Sequence, residues 1–449
     1  MKMVQNLLSG LPRALQRLLL LLILGALVGL ACWPLNLVDR LQDSLLSLMP
    51  GFSDGGWTPM GLTIALSPLA VMPLLLVLKQ GWLRSGAGSG IPQTMLSLEH
   101  PERGATLLGL PATLARLVLW TLASLAAFPL GREGPVVQVG ATVAHGLRRH
   151  FPRLLPGLKD EQLMAIGAGA GLAGGFNSPL MGLLFVIEEL TGRYQLALLL
   201  PGGLVCLSAA LISNLGGVGL FTLGMLRRIE PEWYQLLWAL PLGIGGGLLG
   251  GLFSWTLVAT TRWLNPRVAR RPLGWGLVLG GGLAAFAVLT GGWSGGDGEA
   301  LMHQMLGGNP PQPAPGSAIE VVTWLMVLVT RLLGPVLALA AGVPGGLIDP
   351  AFGLGAVFGS GVMKLFGASA ELGLALGMAA GLAGATQLPL TTVVFAMRMA
   401  GDAQWLWGLL LSAVLGAYVG RRIQARPVYH ALTELSEKNR PSIQSAPRR

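Results

Sequence analysis

The sequence predicts an all-α polytopic membrane protein built from two inverted-topology repeats of tilted and broken helices. Three observations carry that expectation. First, 52% of the 449 residues are hydrophobic and only 11% are charged, against roughly 25% charged in soluble domains, and the apolar residues fall in repeated long runs. Second, two motifs recur in the same order. Ala170-Gly171-Leu172-Ala173-Gly174, Pro179-Leu180 and Phe185 align without a gap, 210 positions on, with Ala380-Gly381-Leu382-Ala383-Gly384, Pro389-Leu390 and Phe395. Gly131, Pro135 and Gly140-Ala141 fall, 215 positions on, on Gly346, Pro350 and Gly355-Ala356. Third, 67 glycines suit close helix packing and interrupted spans. Small residues match by chance in membrane helices, but two pairs in the same order argue for duplication. The short hydrophobic pieces favour inversion of one half against the other.

Taken in order, residues 1–17 form a basic amphipathic start on the cytoplasmic surface, with Lys2, Arg13 and Arg17. The apolar run that follows has no clear small-residue cleavage site, so 18–35 reads as the first span rather than a signal peptide. Residues 36–58 read as a surface loop, and 60–78 as a second span broken by Pro68 and Pro73. Gly86 to Pro92 is a Gly-rich turn whose proline can open a short helix. An apolar run over 107–130 leads to Gly131, a helix from Pro135 runs to about His145, and 147–162 is a loop. The segment 168–190 is interrupted at Asn177-Ser178-Pro179, resumes, and ends in Glu188-Glu189. Further spans are expected at about 195–225, 235–262, 273–291, 320–340, 372–399 and 405–419. Residues 292–316 read as a surface loop, and another helix opens at Pro350. The repeats are placed at 18–225 and 226–419, with a short segment 420–449 carrying Tyr429 and too small for a further domain.

The net charge is +10, but it does not point to nucleic acid. The basic residues cluster in short loops and at chain ends, as at Arg148, Arg149 and Arg153, Arg227 and Arg228, Arg267, Arg270 and Arg271, and Arg421 and Arg422. Such clusters mark the cytoplasmic side of membrane proteins. Cys32 and Cys206 both lie in apolar runs and read as core residues. The five histidines show no metal-ligand spacing, so no metal and no cofactor is expected.

The chain is organised around Gly131-Arg132-Glu133-Gly134-Pro135. From Ala105 to Gly131 the only ionisable residue is Arg116, and after Glu133 no formal charge appears until Arg148. An acid at that depth is costly in hydrocarbon, so it should face the protein interior, a water path or a partner. The glycines free the backbone, and Pro135 suits a first helical turn. Glu133 is therefore expected just before a helix N-terminus, whose free N–H groups and partial positive charge attract anions. The competing reading is an Arg132–Glu133 ion pair that merely caps a buried helix. Broken segments at matching places in two halves are a pointer to a transporter site near the midplane.

With these motifs the sequence resembles the CLC family of chloride channels and chloride/proton antiporters. The residues that carry the resemblance are Gly88-Ser89-Gly90-Ile91-Pro92, the stretch from Gly131 to Pro135, the FNSPL segment leading to Glu188-Glu189, Gly346 to Pro350, and Pro427-Val428-Tyr429. They span about residues 60–432. The resemblance implies that Ser89, Tyr429 and the backbone N–H groups of Leu347 and Ile348 hold the central anion, with Gly88, Gly90, Arg132, Gly131, Gly134 and Pro135 in support. Hydroxyls and N–H dipoles can strip water from an anion without trapping it as a bare cation would. It also implies that Glu133 is the external gate and Glu189 the internal proton-transfer acid. Pro179 to Glu189 spans roughly 15 Å of helix, about half the hydrocarbon core, so Glu189 should lie near one membrane face. The implied partners are chloride, protons, the lipid bilayer and a second copy in a homodimer. The implied location is a bacterial inner membrane with both termini cytoplasmic.

The chain departs from the family pattern at Ile348, at Asp349, which can cap the helix from Pro350 or weaken anion binding nearby by its charge, at Gln93, and at Arg398, which falls opposite Glu188 in the repeat. Arg116 and Arg331 match intramembrane basic positions and are expected to meet buried acids or backbone carbonyls. The function expected is chloride transport coupled to proton counter-transport. The alternatives are a passive chloride channel, a fluoride/proton exchanger, whose branch usually alters the Ser89 and Tyr429 positions, and a membrane-embedded enzyme. The last would need a nucleophile or metal site, and neither is visible.

Overall fold

A computed structural model describes residues 12–438 apart from positions 54, 153, 154, 156, 193, 194, 216–230, 307–316, 401 and 402. Parts of the expected N-terminal segment, of the basic loops (Arg153, Arg227, Arg228), of the 292–316 loop and of the C-terminal tail lie outside the described residues. Within them the chain is almost wholly helical. The first half contains α1 (Arg13–Leu46), α2 (Pro59–Leu78), α3 (Ile91–Glu99), α4 (Gly104–Leu107), α5 (Leu110–Leu125), α6 (Glu133–His150), α7 (Asp160–Phe176), α8 (Pro179–Phe185) and α9 (Leu196–Ser213). The second contains α10 (Ala239–Arg270), α11 (Pro272–Leu289), α12 (Glu299–Leu306), α13 (Ala318–Ala340), α14 (Ile348–Leu365), α15 (Ala370–Thr386), α16 (Pro389–Ala400) and α17 (Leu406–Ile423), and α18 (Val428–Lys438) follows. Among the described residues seven helical stretches are long and apolar enough to cross a membrane. This is an integral membrane protein.

The repeat is visible in packing. In α6, a Cβ on Gly140 would run into the carbonyl oxygen of Gly167 and the nitrogen of Gly171 on α7; in α14, a Cβ on Gly355 would meet Gly377 and Gly381 on α15. The same glycines, displaced by 215 and 210 positions, thus bring two backbones into contact in each half. α7 ends on Asn177 at φ 50° and α15 ends on Gln387 at φ 63°. A left-handed residue at this place stops a helix and satisfies its last carbonyls. Each chain then restarts on a proline in the first turn, Pro179 in α8 and Pro389 in α16, where the missing N–H is harmless. α1 packs on α9 through Gly25 and Gly29, as α10 packs on α17 through Gly247 and Gly251.

Several expected boundaries are corrected. The first helix runs from Arg13 to Leu46 rather than 18–35, so part of the expected loop 36–58 is helical, with Pro34 inside. α2 is continuous through Pro68 and Pro73, because neighbouring packing and a shifted bonding pattern tolerate proline in membrane helices. The expected span 372–399 is two helices broken at Gln387. α6 and α14 begin at Glu133 and Ile348, two residues before the prolines expected to open them. Pro135 and Pro350 therefore occupy the third position of the first turn, where an N–H has no intrahelical acceptor in any case. The region 292–316 is not simply a surface loop. Ser294 and Asp297 are buried, and α12 follows them. Cys32 and Cys206 are free and buried, as expected.

Candidate functional site

The two motif glycines face each other. Gly131 N–H donates to the Gly346 carbonyl at 3.1 Å and Gly346 N–H donates to the Gly131 carbonyl at 2.7 Å. They form an isolated antiparallel bridge. A reciprocal pair between equivalent residues, with the chain running in opposite directions, is what a local two-fold relation between the repeats requires. The helices α6 and α14 both start just beyond it.

Glu133 is wholly buried at this junction. Its carboxylate lies against Gly131 and Gly346, so closely that a Cβ on either would overlap it. Oε1 accepts the N–H of Asp349 at 2.5 Å, while Oε2 is buried with no hydrogen-bond partner. The acid from the first repeat thus binds the helix start of the second as an anion would. The expected competitor, an Arg132–Glu133 pair, does not form. Arg132 turns away to pair with Asp39 and, at 3.3 Å, with Glu299, and its guanidinium lies 4.9 Å from the Phe176 ring centroid. Asp349 does not cap the helix: it lies within the first turn of α14, and no side chain caps that helix. One of its oxygens is buried without a partner. Its contribution to Glu133 is its backbone N–H, which the sequence reading assigned to neither residue.

Ser89 is delivered by a turn that only glycine allows cheaply. Gly88 and Gly90 have φ of 89° and 118°. Gly88 N–H donates to the Gly342 carbonyl at 3.2 Å, joining the turn to the second repeat. Arg116 is buried and holds the turn from behind, with Nε on the Gly88 carbonyl and Nη2 on the Ala87 carbonyl, each at 3.0 Å. Gln93 Oε1 accepts the Gly90 N–H at 2.8 Å. Ser89 rests on Gly134, where a Cβ would strike its carbonyl and hydroxyl oxygens, and this places it directly beside Glu133. Ser89 and Leu347 line one cavity with Gly88, Thr261, Asn265 and Gly342.

Tyr429, in the first turn of α18, is fully buried, edge-on to Phe185 at 6.4 Å between centroids, and close enough to Glu133, Glu189 and Asp349 to feel their charges. The Ser89 hydroxyl and the Tyr429 phenol are both buried without a hydrogen-bond partner. Leaving such a group unsatisfied costs about 1–3 kcal/mol, and two such hydroxyls near one buried carboxylate fit a site that ligates an anion. Leu347 and Ile348 are buried at the start of α14, where helical N–H groups lack intrahelical acceptors. The expected set of Ser89, Glu133, Leu347, Ile348 and Tyr429 is therefore gathered at one junction, with Gly131, Gly134 and Pro135 shaping the backbone around it.

The structure adds a feature that sequence reading missed. Gly296-Asp297-Gly298 repeats Gly88-Ser89-Gly90, with φ of 66° and 119° at its glycines. Arg331 braces it as Arg116 braces the first turn, through the carbonyls of Trp293 at 2.7 Å, Gly296 at 2.9 Å and Gly295 at 2.8 Å. The signal was present, Arg331 lying 215 positions after Arg116. The turn, however, lies 208 positions after its counterpart, and the changed spacing hid it. Both arginines meet backbone carbonyls, one of the two expected outcomes. Asp297 lies with Asp39 and Glu299 in a cluster whose carboxylate oxygens are within 4.8 Å of one another, and Arg132 supplies its positive charge. Arg398 feels the charges of Glu299, Arg132 and Asp349, which gives this otherwise unexplained basic residue a place beside the same group.

Glu188 and Glu189 part company in a π-helical turn, Val186–Leu190. Glu188 accepts the N–H groups of Leu390 and Thr391 at 3.1 and 2.8 Å and the Thr391 hydroxyl at 2.7 Å, so an acid of the first repeat caps α16 of the second. Glu189 is buried at 4% exposure. His430 Nδ1 lies 3.4 Å from its Oε1, and the histidine side chain is about half exposed.

Residues 69–421 match the family described as voltage gated chloride channel. An H(+)/Cl(-) exchange transporter ClcA of Yersinia pseudotuberculosis serotype IB is 27% identical over 444 residues, covering 92% of this chain and 87% of that protein. A ClcA of Klebsiella pneumoniae strain 342 is 25% identical, covering 96% and 90%. Among solved structures, a slow cyanobacterial Cl−/H+ antiporter has a TM-score of 0.75 at 22% identity, covering 94% of this chain and 99% of that one. A CLC-type fluoride/proton antiporter has a TM-score of 0.73 at 24% identity, covering 92% and 96%. At those identities the structures establish the shared fold. With the family match extending over most of its length, and with the motif residues gathered at one junction, this chain belongs to the voltage gated chloride channel family, the CLC family.

Proposed function

We propose that this protein exchanges chloride for protons across the membrane. The observation that carries the reading is the Glu133 carboxylate, buried at the junction of the repeats and bound to the Asp349 N–H in the place of an anion. In that state it closes the pathway. Protonation removes its negative charge and its claim on the N–H group, so the side chain leaves and chloride takes the place. Ser89, Tyr429 and the N–H groups of Leu347 and Ile348 hold chloride one step further in, and Glu189 hands protons between the cytoplasm and Glu133. The relatives named as H(+)/Cl(-) exchange transporters support this assignment. A site that acts by N–H and hydroxyl ligation and by proton transfer calls for no enzyme chemistry.

Two further parts of the reading rest on resemblance and composition. The repeats divide at about residues 225 and 226, and two copies form a homodimer with one pathway each. Both chain ends face the cytoplasm of a bacterial inner membrane. The presence of Ser89 and Tyr429 favours chloride over fluoride. The family's description as a chloride channel favours one second reading, passive conduction. Purified protein in liposomes, with chloride and pH followed together, separates the two. A chloride gradient should drive protons uphill, and chloride flux with no proton movement would make the protein a channel. Fluoride flux at or above chloride flux would overturn the choice of anion.

A further inference from the structure

We infer that His430 is a proton-relay residue, carrying protons between cytoplasmic water and the buried Glu189. This deepens the exchange reading above and rests on it. A buried acid near a membrane face needs a route to water, and Glu189 is almost wholly enclosed while its Oε1 lies 3.4 Å from His430 Nδ1. Among the described residues His430 is the one basic side chain within 4 Å of that carboxylate. Its ring is about half exposed, so it touches the solvent and the buried acid at once. Glu188, the adjacent acid, is unsuited to the task because its oxygens are committed to the start of α16.

The charged and titratable groups around the ring leave it this role. Glu99, at the end of α3, acts on it electrostatically. His100 and Arg103 both pair with Glu437 where α3 and α18 meet. On its own helix, Tyr429 faces the interior and Glu434 pairs with Arg426. From α10, Arg262 lines a groove with Arg426, Glu434 and Lys438. The sequence of α15 has one ionisable group, Glu371, in its first turn.

The transfer balances simply. Nε2 takes a proton from hydronium in the cytoplasmic water, releasing H2O, the imidazolium gives the Nδ1 proton to the Glu189 carboxylate, and a neutral ring protonated on Nε2 remains. The ring regains its first tautomer by exchange with solvent, and the reverse order serves protons leaving. Imidazole changes charge near pH 6.5 and so can load and unload in the cytoplasmic range.

The test uses the full chain in liposomes with chloride and proton flux measured between pH 5 and 8.5. His430→Gln and His430→Asn should slow chloride-driven proton flux about tenfold or more, flatten its pH profile over the measured range, and lower the protons moved per chloride. Imidazole supplied in the solution should restore part of the flux. A merely structural role would leave the shape of the pH profile unchanged and would give no imidazole rescue. Chloride flux in Glu133→Gln/His430→Gln should equal that of Glu133→Gln alone, which checks that the variant is folded. An unchanged proton rate and profile in both variants overturns the relay, as does a loss of chloride flux equal to the loss of proton flux. Failure of the underlying exchange reading shows separately, as a wild type that moves no protons, and that result removes the relay with it.

Discussion

The two helix starts that meet at the Gly131–Gly346 bridge have the same backbone and different cargo. Each follows a glycine, each has a proline in the third position, and each lays a small-residue face on the next helix. In the first, the position two beyond the bridge is Glu133; in the second it is Ile348. The first start supplies a carboxylate, and the second supplies the N–H that receives it. Symmetry thus provides two helix ends with free N–H groups, and one difference between them lets a carboxylate of one end bind an N–H of the other. The helix ends beyond the second break differ as well. Glu188 of the first repeat is spent on capping a helix of the second, whereas Arg398, at the matching place, belongs to the charge group around Arg132, Glu299 and Asp349.

The largest expected effect follows from the acid at the bridge. Glu133→Gln should abolish proton movement and leave a chloride flux that no longer varies with pH. Uphill proton pumping by that variant would remove Glu133 from the gate. Glu189→Gln should likewise stop proton movement while chloride continues to flow, and coupled proton flux in it would break the division of labour between outer and inner acids.

Next come the pairs that hold the first start in place. Arg132→Met strands Asp39 and Glu299, and removing one member of such a buried group costs about 3–5 kcal/mol. A large fall in the apparent melting temperature in detergent should be partly reversed by Asp39→Asn and Glu299→Gln in the same chain. Lack of any reversal would mean that Arg132 acts through packing on Phe176.

A smaller and sharper test concerns the bridge. Gly346→Ala places a methyl group against the Glu133 carboxylate, with a steric cost of about 1–3 kcal/mol. The same change in a Glu133→Ala background should cost clearly less, because the flexible part of the clash is gone. Equal costs in both backgrounds, read as shifts in melting temperature, would show that the clash is with backbone alone. Gly140→Ala and Gly355→Ala should be destabilising to similar extents if the repeats pack alike.

The smallest effects concern Glu188 and Asp349. Glu188→Ala should remove a helix cap worth about 0.5–2 kcal/mol and leave the protons moved per chloride unchanged. Asp349→Ala should raise chloride affinity a few-fold by removing a partnerless buried oxygen near the pathway, since the N–H that binds Glu133 survives the change. A proton-to-chloride ratio altered by either variant would enlarge the list of groups that handle protons.

Composition and apolar runs determined that this chain is a helical membrane protein, because charge is too costly in hydrocarbon to be distributed otherwise. The glycine and proline spacing determined that the broken segments recur in two halves, but not where every break falls: α2 runs on through Pro68 and Pro73, and the breaks before Pro179 and Pro389 turn on Asn177 and Gln387. Glu133 was legible as a rare acid set beside such a break, whereas Ser89 and Tyr429 were named only through the family resemblance. Tertiary structure decided where each group's partner lies. Nothing local to residue 133 indicates that its carboxylate accepts the N–H of residue 349, or that Arg132 looks to Asp39 and Glu299 rather than to its neighbour. Nothing local to Asp297 shows that a Gly-rich loop folds inward onto Arg331, and nothing near Glu189 indicates that His430 closes over it. These contacts join positions from 35 to more than 240 residues apart, and side-chain spacing along one helix carries no information about them. They arise only when the two halves close on each other and the close glycine contacts fix which backbone atoms meet.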